Sequence, residues 1–416
     1  MPASSTIRDP SLAAEGERKI EWVALHAHTL NALCRSHLND GSLRGRRLAM
    51  AIHLEAKTAH LAWLFHEAGA QVAVTGSNPW STQDDVAAAL AGRGLEVHAL
   101  HGADPAAFDE HLLRTLDFRP ELILDDGAEL VARLHAKRRD LLPGVRAASE
   151  ETTSGVLRLQ AMEREGALAL PVIAANNARC KQMFDNRYGT GQSTLTAILS
   201  ATNLLLAGKT TVVVSYGWCG RGLAAYARGF GARVVVVEID PIKALEAVAD
   251  GFEVMSLEQA APVGDLFITA TGSIQVLRRE HFERMKDGAL IANAGNFAHE
   301  IDIAALDELA GEGREVRRHI TEYVLRDGRR LHLLAHGALV NIAAADGHPV
   351  EVMDMSFSVQ ALSLHYLARH AGELKPGVHP LPEEIDTAIA RARLELLGVK
   401  LEKPTPAQEA YRQSWR

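Results

Sequence analysis

Thiols, aromatic rings and long apolar runs are all scarce in this chain. Only 3 of its 416 residues are cysteine and 5% are aromatic. Cys34, Cys180 and Cys219 share no metal-ligand spacing and cannot build a disulfide framework, which points to a reducing compartment. No stretch approaches the ~20 uncharged apolar residues that a membrane span needs. Residues 1–19 are polar with mixed charge, unlike a secretory signal. A cytoplasmic protein without a membrane partner is therefore expected. An excess of basic charge is missing too: 44 Lys and Arg face 52 Asp and Glu, a formal net charge of −8 that offers a nucleic-acid backbone no basic surface. The 19 histidines are scattered and read as packed or solvated side chains, so no metal is expected.

What is present is the composition of a globular protein, 47% hydrophobic and 23% charged. At roughly 100 to 200 residues per domain, the length implies two or three domains. Residues 49–70 read as an amphipathic helix, and residues 71–75 (QVAVT) as a short strand closed by the turn cluster Gly76-Ser77-Asn78-Pro79. A helix over 83–91 and a strand over 96–99 follow. The apolar run Leu122-Ile123-Leu124 ends in Asp125-Asp126-Gly127 ahead of a helix over 128–137. A second run of the same kind starts at Thr210 (TTVVV) and continues through 234–238, 266–271 and 289–293. Strands alternating with helices are the signature of parallel sheets, whose ligands lie beyond the carboxyl ends of the strands. Residues 174–191 have weak periodicity and many small or polar residues, and read as a hinge.

The turn after the Thr210 strand reads Ser215-Tyr216-Gly217-Trp218-Cys219-Gly220-Arg221-Gly222. Glycines in such a turn let a pyrophosphate approach the backbone at a helix N-terminus. By itself the pattern equally fits a tight strand-to-helix turn, and Ser215 stands where the first glycine would be. Glu238 strengthens the reading. It follows Gly217 by 21 residues, at the end of the next strand (VVVVE), where a carboxylate can bind ribose hydroxyls. That carboxylate would repel a 2′-phosphate, so NAD is expected rather than NADP, with Lys243 the one feature that could soften the preference. The expected fold is α/β, with two doubly wound parallel-sheet domains, one a Rossmann dinucleotide-binding domain, joined by a hinge. Its boundaries are expected at 1–176 for the first part of a substrate-binding domain, 177–191 for the hinge, 192–346 for the NAD domain, and 347–416 for the return to the first domain plus a short tail.

Further blocks carry a resemblance. From His53 to Phe357 the chain resembles the S-adenosylhomocysteine hydrolase family in order and spacing, through Ser81-Thr82-Gln83-Asp84, Asp125-Asp126-Gly127, Ser149-Glu150-Glu151-Thr152-Thr153-Ser154-Gly155, and Lys181 with Phe184-Asp185-Asn186-Arg187-Tyr188-Gly189. Gly229-Phe230-Gly231-Ala232-Arg233, Glu238-Ile239-Asp240-Pro241, Thr269-Ala270-Thr271-Gly272, Met285-Lys286-Asp287-Gly288 and Gly347-His348-Pro349 continue it. The resemblance implies a cycle in which NAD oxidises a nucleoside 3′-hydroxyl, the acidified 4′-hydrogen is removed, the 5′-thioether leaves, water adds and the ketone is reduced. It implies that Lys181 and Asp185 assist 3′-oxidation and that Asp126 and His53 handle protons at the 4′- and 5′-carbons. Glu151 would hold ribose hydroxyls. Thr152, Thr153, Ser154, Asn186, Asn293 and Asn341 would lie along the cofactor with Gly217, Gly220 and Gly222, and His348 would lie beside the substrate. Blander readings exist for single residues: Asp126 as a helix cap, His53 as a packed histidine, and Lys181 with Asp185 as a local ion pair.

The departures matter as much. Thr190 stands where the family has a cysteine, and Asn296 where it has a histidine. The base-reading pattern becomes His53-Leu54-Glu55-Ala56-Lys57-Thr58, placing Glu55 and an ammonium at Lys57 where the family presents a threonine and a glutamate. The tail closes on Gln413-Ser414-Trp415-Arg416 without the family's Lys-Pro-x-x-Tyr-Arg-Tyr arm. A cofactor site completed within one chain is expected from this, in a homo-oligomer that is a dimer rather than a tetramer. Closure of the two domains is expected about a hinge near Asn176 to Asn186 and again near Gly347. Three functions stay open at this point: thioether hydrolysis on a nucleoside, a 3′-keto mechanism ending in epimerisation or in elimination without hydration, and a non-catalytic NAD-binding regulator.

Overall fold

The computed structural model describes residues 5–296 and 298–415; Arg416, the last residue of the tail, lies outside them. Among the described residues, fifteen strands form two sheets. The first holds β1 (Arg47–Ala51), β2 (Gln71–Thr75), β3 (Glu96–His98), β4 (Leu122–Asp125), β5 (Ala147–Glu150), β6 (Pro171–Ile173) and, from the end of the chain, β15 (Gly377–His379). Its order is β15-β6-β5-β4-β1-β2-β3 and every pairing is parallel. The second holds β7 (Thr210–Val214), β8 (Arg233–Val237), β9 (Glu253–Val254), β10 (Leu266–Thr269), β11 (Ala289–Asn293), β12 (Arg314–Arg317), β13 (Ile320–Val324) and β14 (Arg330–Leu334). Its order is β12-β13-β14-β11-β10-β7-β8-β9, parallel except for the β12–β13 and β13–β14 pairs.

The central strands are almost unbroken apolar runs such as LAMA, LIL and VVV, because helices cover both faces of each sheet and no face is left for polar alternation. Each sheet reverses its winding once, between β1 and β4 in the first and between β7 and β10 in the second. Crevices at the carboxyl ends of the strands open at such switch points.

One local expectation is corrected, and one segment gains a physical account. Residues 49–70 are not one helix: β1 occupies 47–51 and the helix is Ala56–Glu67. That helix is buried on most of its surface, so it has no polar face to separate it in sequence from a buried central strand. Residues 174–191 are helical almost throughout, with a short turn Ala175–Asn177, one helical turn Arg179–Lys181 and a wide-turned π segment Gln182–Gly189 that runs straight into the helix Thr190–Thr202. An insertion of this kind shifts side-chain phase mid-helix, which explains the weak periodicity. No helix among the described residues is long and apolar enough to cross a membrane.

Candidate functional site

Both strands at the first switch point end in chemistry. Residue Asp126 directly follows β4 and His53 lies just past β1, its neighbour. The acids come in adjacent pairs that divide the work. Asp125 caps the helix Glu129–Lys137, its two carboxylate oxygens accepting from the Leu130 and Val131 amides at 3.1 and 2.8 Å. That leaves Asp126 free to face the cleft. Likewise Glu150 accepts from the amides of Gly127, Ala128 and Thr152, each at 2.9 Å, while Glu151 turns into the cleft. Burial pushes the Asp125 carboxyl up to about 7, and burial plus the facing charge of Asp125 pushes Glu150 well above its usual range.

His53 and Asp126 are held as a unit. Ser77 Oγ donates to Asp126 Oδ2 at 2.6 Å, and His53 Nε2 lies 3.4 Å from the same oxygen. On the other side of the ring, Nδ1 is 2.6 Å from Ser81 Oγ, which itself donates to the Asn78 carbonyl at 2.9 Å. Since the Ser81 proton is committed to that carbonyl, Nδ1 carries the imidazole proton and Nε2 is the basic nitrogen.

Lys181 is buried among acceptors. Its Nζ lies 2.8 Å from Asn186 Oδ1, 3.2 Å from Asp185 Oδ1 and 3.4 Å from Glu151 Oε1. Burial alone would discharge it, but Asp185 and Glu151 outweigh that and keep the ammonium charged well above its ordinary range. Burial raises Glu151 to about 7, with Lys181 opposing. Ser356 Oγ at 3.1 Å and the Gln360 amide hold its oxygens. Burial lowers the His348 imidazole to about 4, so it is neutral at pH 7. Its Nε2 is 3.2 Å from Thr190 Oγ, and its ring fills the space left by Gly189, where a Cβ would approach to 2.6 Å.

The second switch point faces this cluster. Ser215 adopts φ +114°, a left-handed conformation that glycine would take without strain. Gly217 caps the helix Trp218–Gly229, whose first residues Trp218 and Cys219 line the cleft with it. A Cβ on Gly220 would meet the Ser215 carbonyl at 2.0 Å, and one on Gly222 the Arg187 carbonyl at 1.9 Å. Gly220 and Gly222 therefore act by close packing of turn and helix; they do not line the cleft. Glu238 accepts from the Tyr216 amide at 2.6 Å and from the Ile239 and Asp240 amides at 2.7 and 3.0 Å, drawing the acid in behind the turn. Lys243 lies 3.6 Å from Asp240 and reaches the cleft. An open helix N-terminus, glycine-tight packing and an acid at the end of the second strand fit a dinucleotide.

One cavity of about 610 Å³ brings together His53, Asp126, Glu151, Lys181 and Asp185 with the fingerprint turn, and also takes in Thr152, Thr153, Ser154, Asn186, Asn341 and His348. Glu238 and Asn293 are outside its wall; Asn293 instead accepts from the Gly295 amide at 2.7 Å and donates to the Gly337 carbonyl at 3.0 Å. Glu55 and Lys57 line the cavity as a pair 2.7 Å apart, so the charge of Lys57 is balanced; its Nζ also donates to the Asp346 carbonyl at 2.8 Å. Sequence reasoning missed Ser77, Ser356 and Gln360, and Asn176, whose Oδ1 accepts from the Asn186 side-chain amide at 3.2 Å. Ser356 and Gln360 lie one helical turn apart, more than 200 residues from Glu151, and nothing in their neighbourhood announces the contact. Ser81 stood in a recognised block, which was the available signal.

Two family profiles match the chain: "S-adenosyl-L-homocysteine hydrolase, NAD binding domain" over residues 186–347, and "S-adenosyl-L-homocysteine hydrolase" over residues 4–142. The chain is 52% identical over 410 residues to the adenosylhomocysteinase of Pyrococcus abyssi, covering 99% of this chain and 97% of that one. It is 51% identical over 410 residues to the S-inosyl-L-homocysteine hydrolase of Methanopyrus kandleri, covering 98% and 97%. To the S-inosyl-L-homocysteine hydrolase of Methanocaldococcus jannaschii it is 50% identical, covering 99% of each.

Proposed function

The chain belongs to the S-adenosyl-L-homocysteine hydrolase family and is an NAD-dependent hydrolase of that general kind; from that premise we propose that it cleaves the 5′-thioether of a purine nucleoside through transient 3′-oxidation, elimination and hydration. The supporting observation is the gathering of His53, Asp126, Glu151, Lys181 and Asp185 in one cleft opposite the fingerprint turn. A non-catalytic regulator would have no chemical reason to assemble that proton-transfer set.

When bound, NAD supplies the hydride acceptor for the 3′-carbon and later returns the hydride. The chain's own groups do the rest. Lys181, held charged, donates to the 3′-oxygen and stabilises the negative charge that develops there when the ketone enolises. Asp185, ionised beside it, is the acceptor for the hydroxyl proton relayed through Lys181. Glu151 accepts from a ribose hydroxyl. Asp126 takes the 4′-proton and hands it to the basic Nε2 of His53, which passes it to the leaving sulfur; His53 then takes a proton from the water that adds and returns it through Asp126 to the 4′-carbon.

The base is a second question. Glu55 and Lys57 offer one acceptor and one donor. A 6-oxopurine presents an oxygen and an N1–H in the order that suits Lys57 and then Glu55; adenine presents the reverse. An ammonium facing an amino group leaves both without an acceptor, so we assign the 6-oxopurine. Overall identity does not discriminate, since relatives named for either base stand at 50–52%. Incubating the purified holoenzyme with S-inosylhomocysteine, S-adenosylhomocysteine and the free nucleosides, while following cofactor absorbance and thiol release, tests both readings. Release of homocysteine is expected, faster from the inosyl substrate. No release from either would overturn the function, and preference for the adenosyl substrate would overturn only the base.

A further inference from the structure

We propose that the base end of the cleft is built for a 2-amino-6-oxopurine, so that the chain also hydrolyses guanosine 5′-thioethers and prefers them to the inosine ones. The proposal rests on the 6-oxopurine reading above and extends it to a third group on the edge of the base. The reaction itself is unchanged. The bond between the 5′-carbon and sulfur breaks, the carbon takes the hydroxyl of one water and the sulfur its remaining proton, and the cofactor ends as it began.

Glu55 is fixed before any base arrives. It is the N-cap of the helix Ala56–Glu67, and its Oε2 accepts from the Lys57 amide at 3.0 Å and from Lys57 Nζ at 2.7 Å. Those two contacts fill the two lone pairs of Oε2. Oε1 is left over: it makes no hydrogen bond or ion pair with the described residues, on a side chain only 6% exposed. Lys57 Nζ commits a second proton to the Asp346 carbonyl at 2.8 Å, which leaves one for a ligand. The open capacity of this wall is therefore one N–H and, beside it, two lone pairs.

Hypoxanthine uses only part of that capacity. Its O6 accepts from Lys57 and its N1–H donates to Glu55 Oε1, but the second lone pair of Oε1 then faces C2–H, and a buried carboxylate oxygen left half-used is destabilising. Guanine closes the count. Its 2-amino group lies beside N1–H and donates to the same carboxylate, a charge-assisted contact that hypoxanthine lacks. Xanthine has the same size but turns a second oxygen on that carboxylate. Room for the extra atom exists because no packed core closes the base end. Glu55, Lys57, Gly347 and His348 line the cleft on one side and, on the other, a cavity of about 680 Å³ walled by the helix Ala13–His26 and by residues 345–350.

The test gives NAD-loaded protein guanosine, inosine, xanthosine or adenosine, and measures kcat/KM for condensation with homocysteine together with cofactor reduction by each nucleoside alone. Guanosine should exceed inosine by about tenfold in kcat/KM, the scale of one charge-assisted contact. Xanthosine should fall below inosine. Glu55→Gln, which keeps the shape but replaces one acceptor oxygen with a donor, should bring the ratio of guanosine to inosine down to about one or below. Guanosine no better than inosine in the unaltered protein would overturn this inference, and inosine ahead of adenosine in the same series would leave the base reading standing. Xanthosine as good as guanosine would show that size rather than the carboxylate decides, and a guanosine preference that survives Glu55→Gln would place the contact elsewhere; either result overturns the assignment. Adenosine ahead of both 6-oxopurines would overturn the base reading and this inference with it, and no cofactor reduction by any nucleoside would overturn the function.

Discussion

The two switch-point crevices use carboxylates in opposite ways. At the first, acids come as neighbours, Asp125 with Asp126 and Glu150 with Glu151. One member of each pair satisfies backbone amides and the other stays free for the cleft. At the second, Glu238 alone takes three amides and has to serve any ligand with what capacity remains. A crevice that moves protons needs acids whose positions are fixed by something other than the substrate, and the doubled acids supply this. A crevice that only grips a cofactor can let one acid do both tasks.

The largest effect should come from removing Lys181, the cation that Glu151 and Asp185 flank. Lys181→Met should slow cofactor reduction by nucleoside by at least ~10³-fold, the scale for losing a buried charge stabiliser, with nucleoside binding changed far less. Single-turnover absorbance of the reduced cofactor measures it. A loss below tenfold would mean that the first crevice does not depend on its charge cluster. Next is the structural acid. Glu150→Ala leaves three amide donors without their acceptor and should cost about 3 kcal/mol of stability, read by urea unfolding. A loss under 1 kcal/mol would show that the doubling is not structural.

Glu151 sharpens the contrast through pH. Its carboxyl, raised to about 7, gives up its proton near neutrality, so kcat/KM should rise as pH passes through about 7, and Glu151→Gln should flatten that limb. Because the folded value lies above the unfolded one, the stability this group contributes is full below its unfolded value, near 4.5, and is lost as pH rises through about 7. The ligand-free protein should therefore lose stability over the window in which it gains activity. A profile with no inflection near 7 would remove Glu151 from the ribose contact.

How much of this was readable in the sequence follows from the range of each signal. The Asp-Asp pair was visible because it closes the apolar run Leu122-Ile123-Leu124, whereas the Glu-Glu pair was visible only through its family block, since β5 (AASE) carries no apolar run. Which member faces the cleft was not, since strand alternation decides it and alternation is silent in runs buried on both faces. The fingerprint turn was legible through its glycines and through Glu238. The sequence pattern nevertheless suggested ligand contact for Gly220 and Gly222, which are small because carbonyls of Ser215 and Arg187 pack against them. The β12–β13–β14 extension went unread because its exposed, charged β12 resembles loop sequence. The Ser356 and Gln360 contacts were beyond reach because only the tertiary fold brings that helix to Glu151.

At the second crevice the effects should be smaller. Glu238→Ala should weaken NAD binding about tenfold, the scale of one charge-assisted contact, measured by titration of the cofactor-free protein. A preference for NADP would instead make Lys243 the reader of that ribose.

The smallest predicted effect tests whether the second crevice is strained at all. Ser215 holds φ +114° at the position where a dinucleotide turn ordinarily has glycine. A non-glycine residue there costs about 1–3 kcal/mol, and glycine's greater freedom in the unfolded chain returns about 0.5–1 kcal/mol of that on substitution. The Ser215 hydroxyl gives back a little more, since it accepts from the Gly217 amide at 3.3 Å, a long bond. Relief should still prevail, so Ser215→Gly should stabilise the NAD domain by about 1 kcal/mol, a rise of roughly 2–4 °C in its melting temperature. It should also free the Gly217 amide for a phosphate and tighten NAD slightly. Thermal unfolding with and without NAD separates the two. A lower melting temperature in the cofactor-free protein would mean that the hydroxyl-to-amide bond outweighs the strain, and that Ser215 pre-forms the turn as the doubled acids pre-form the first crevice.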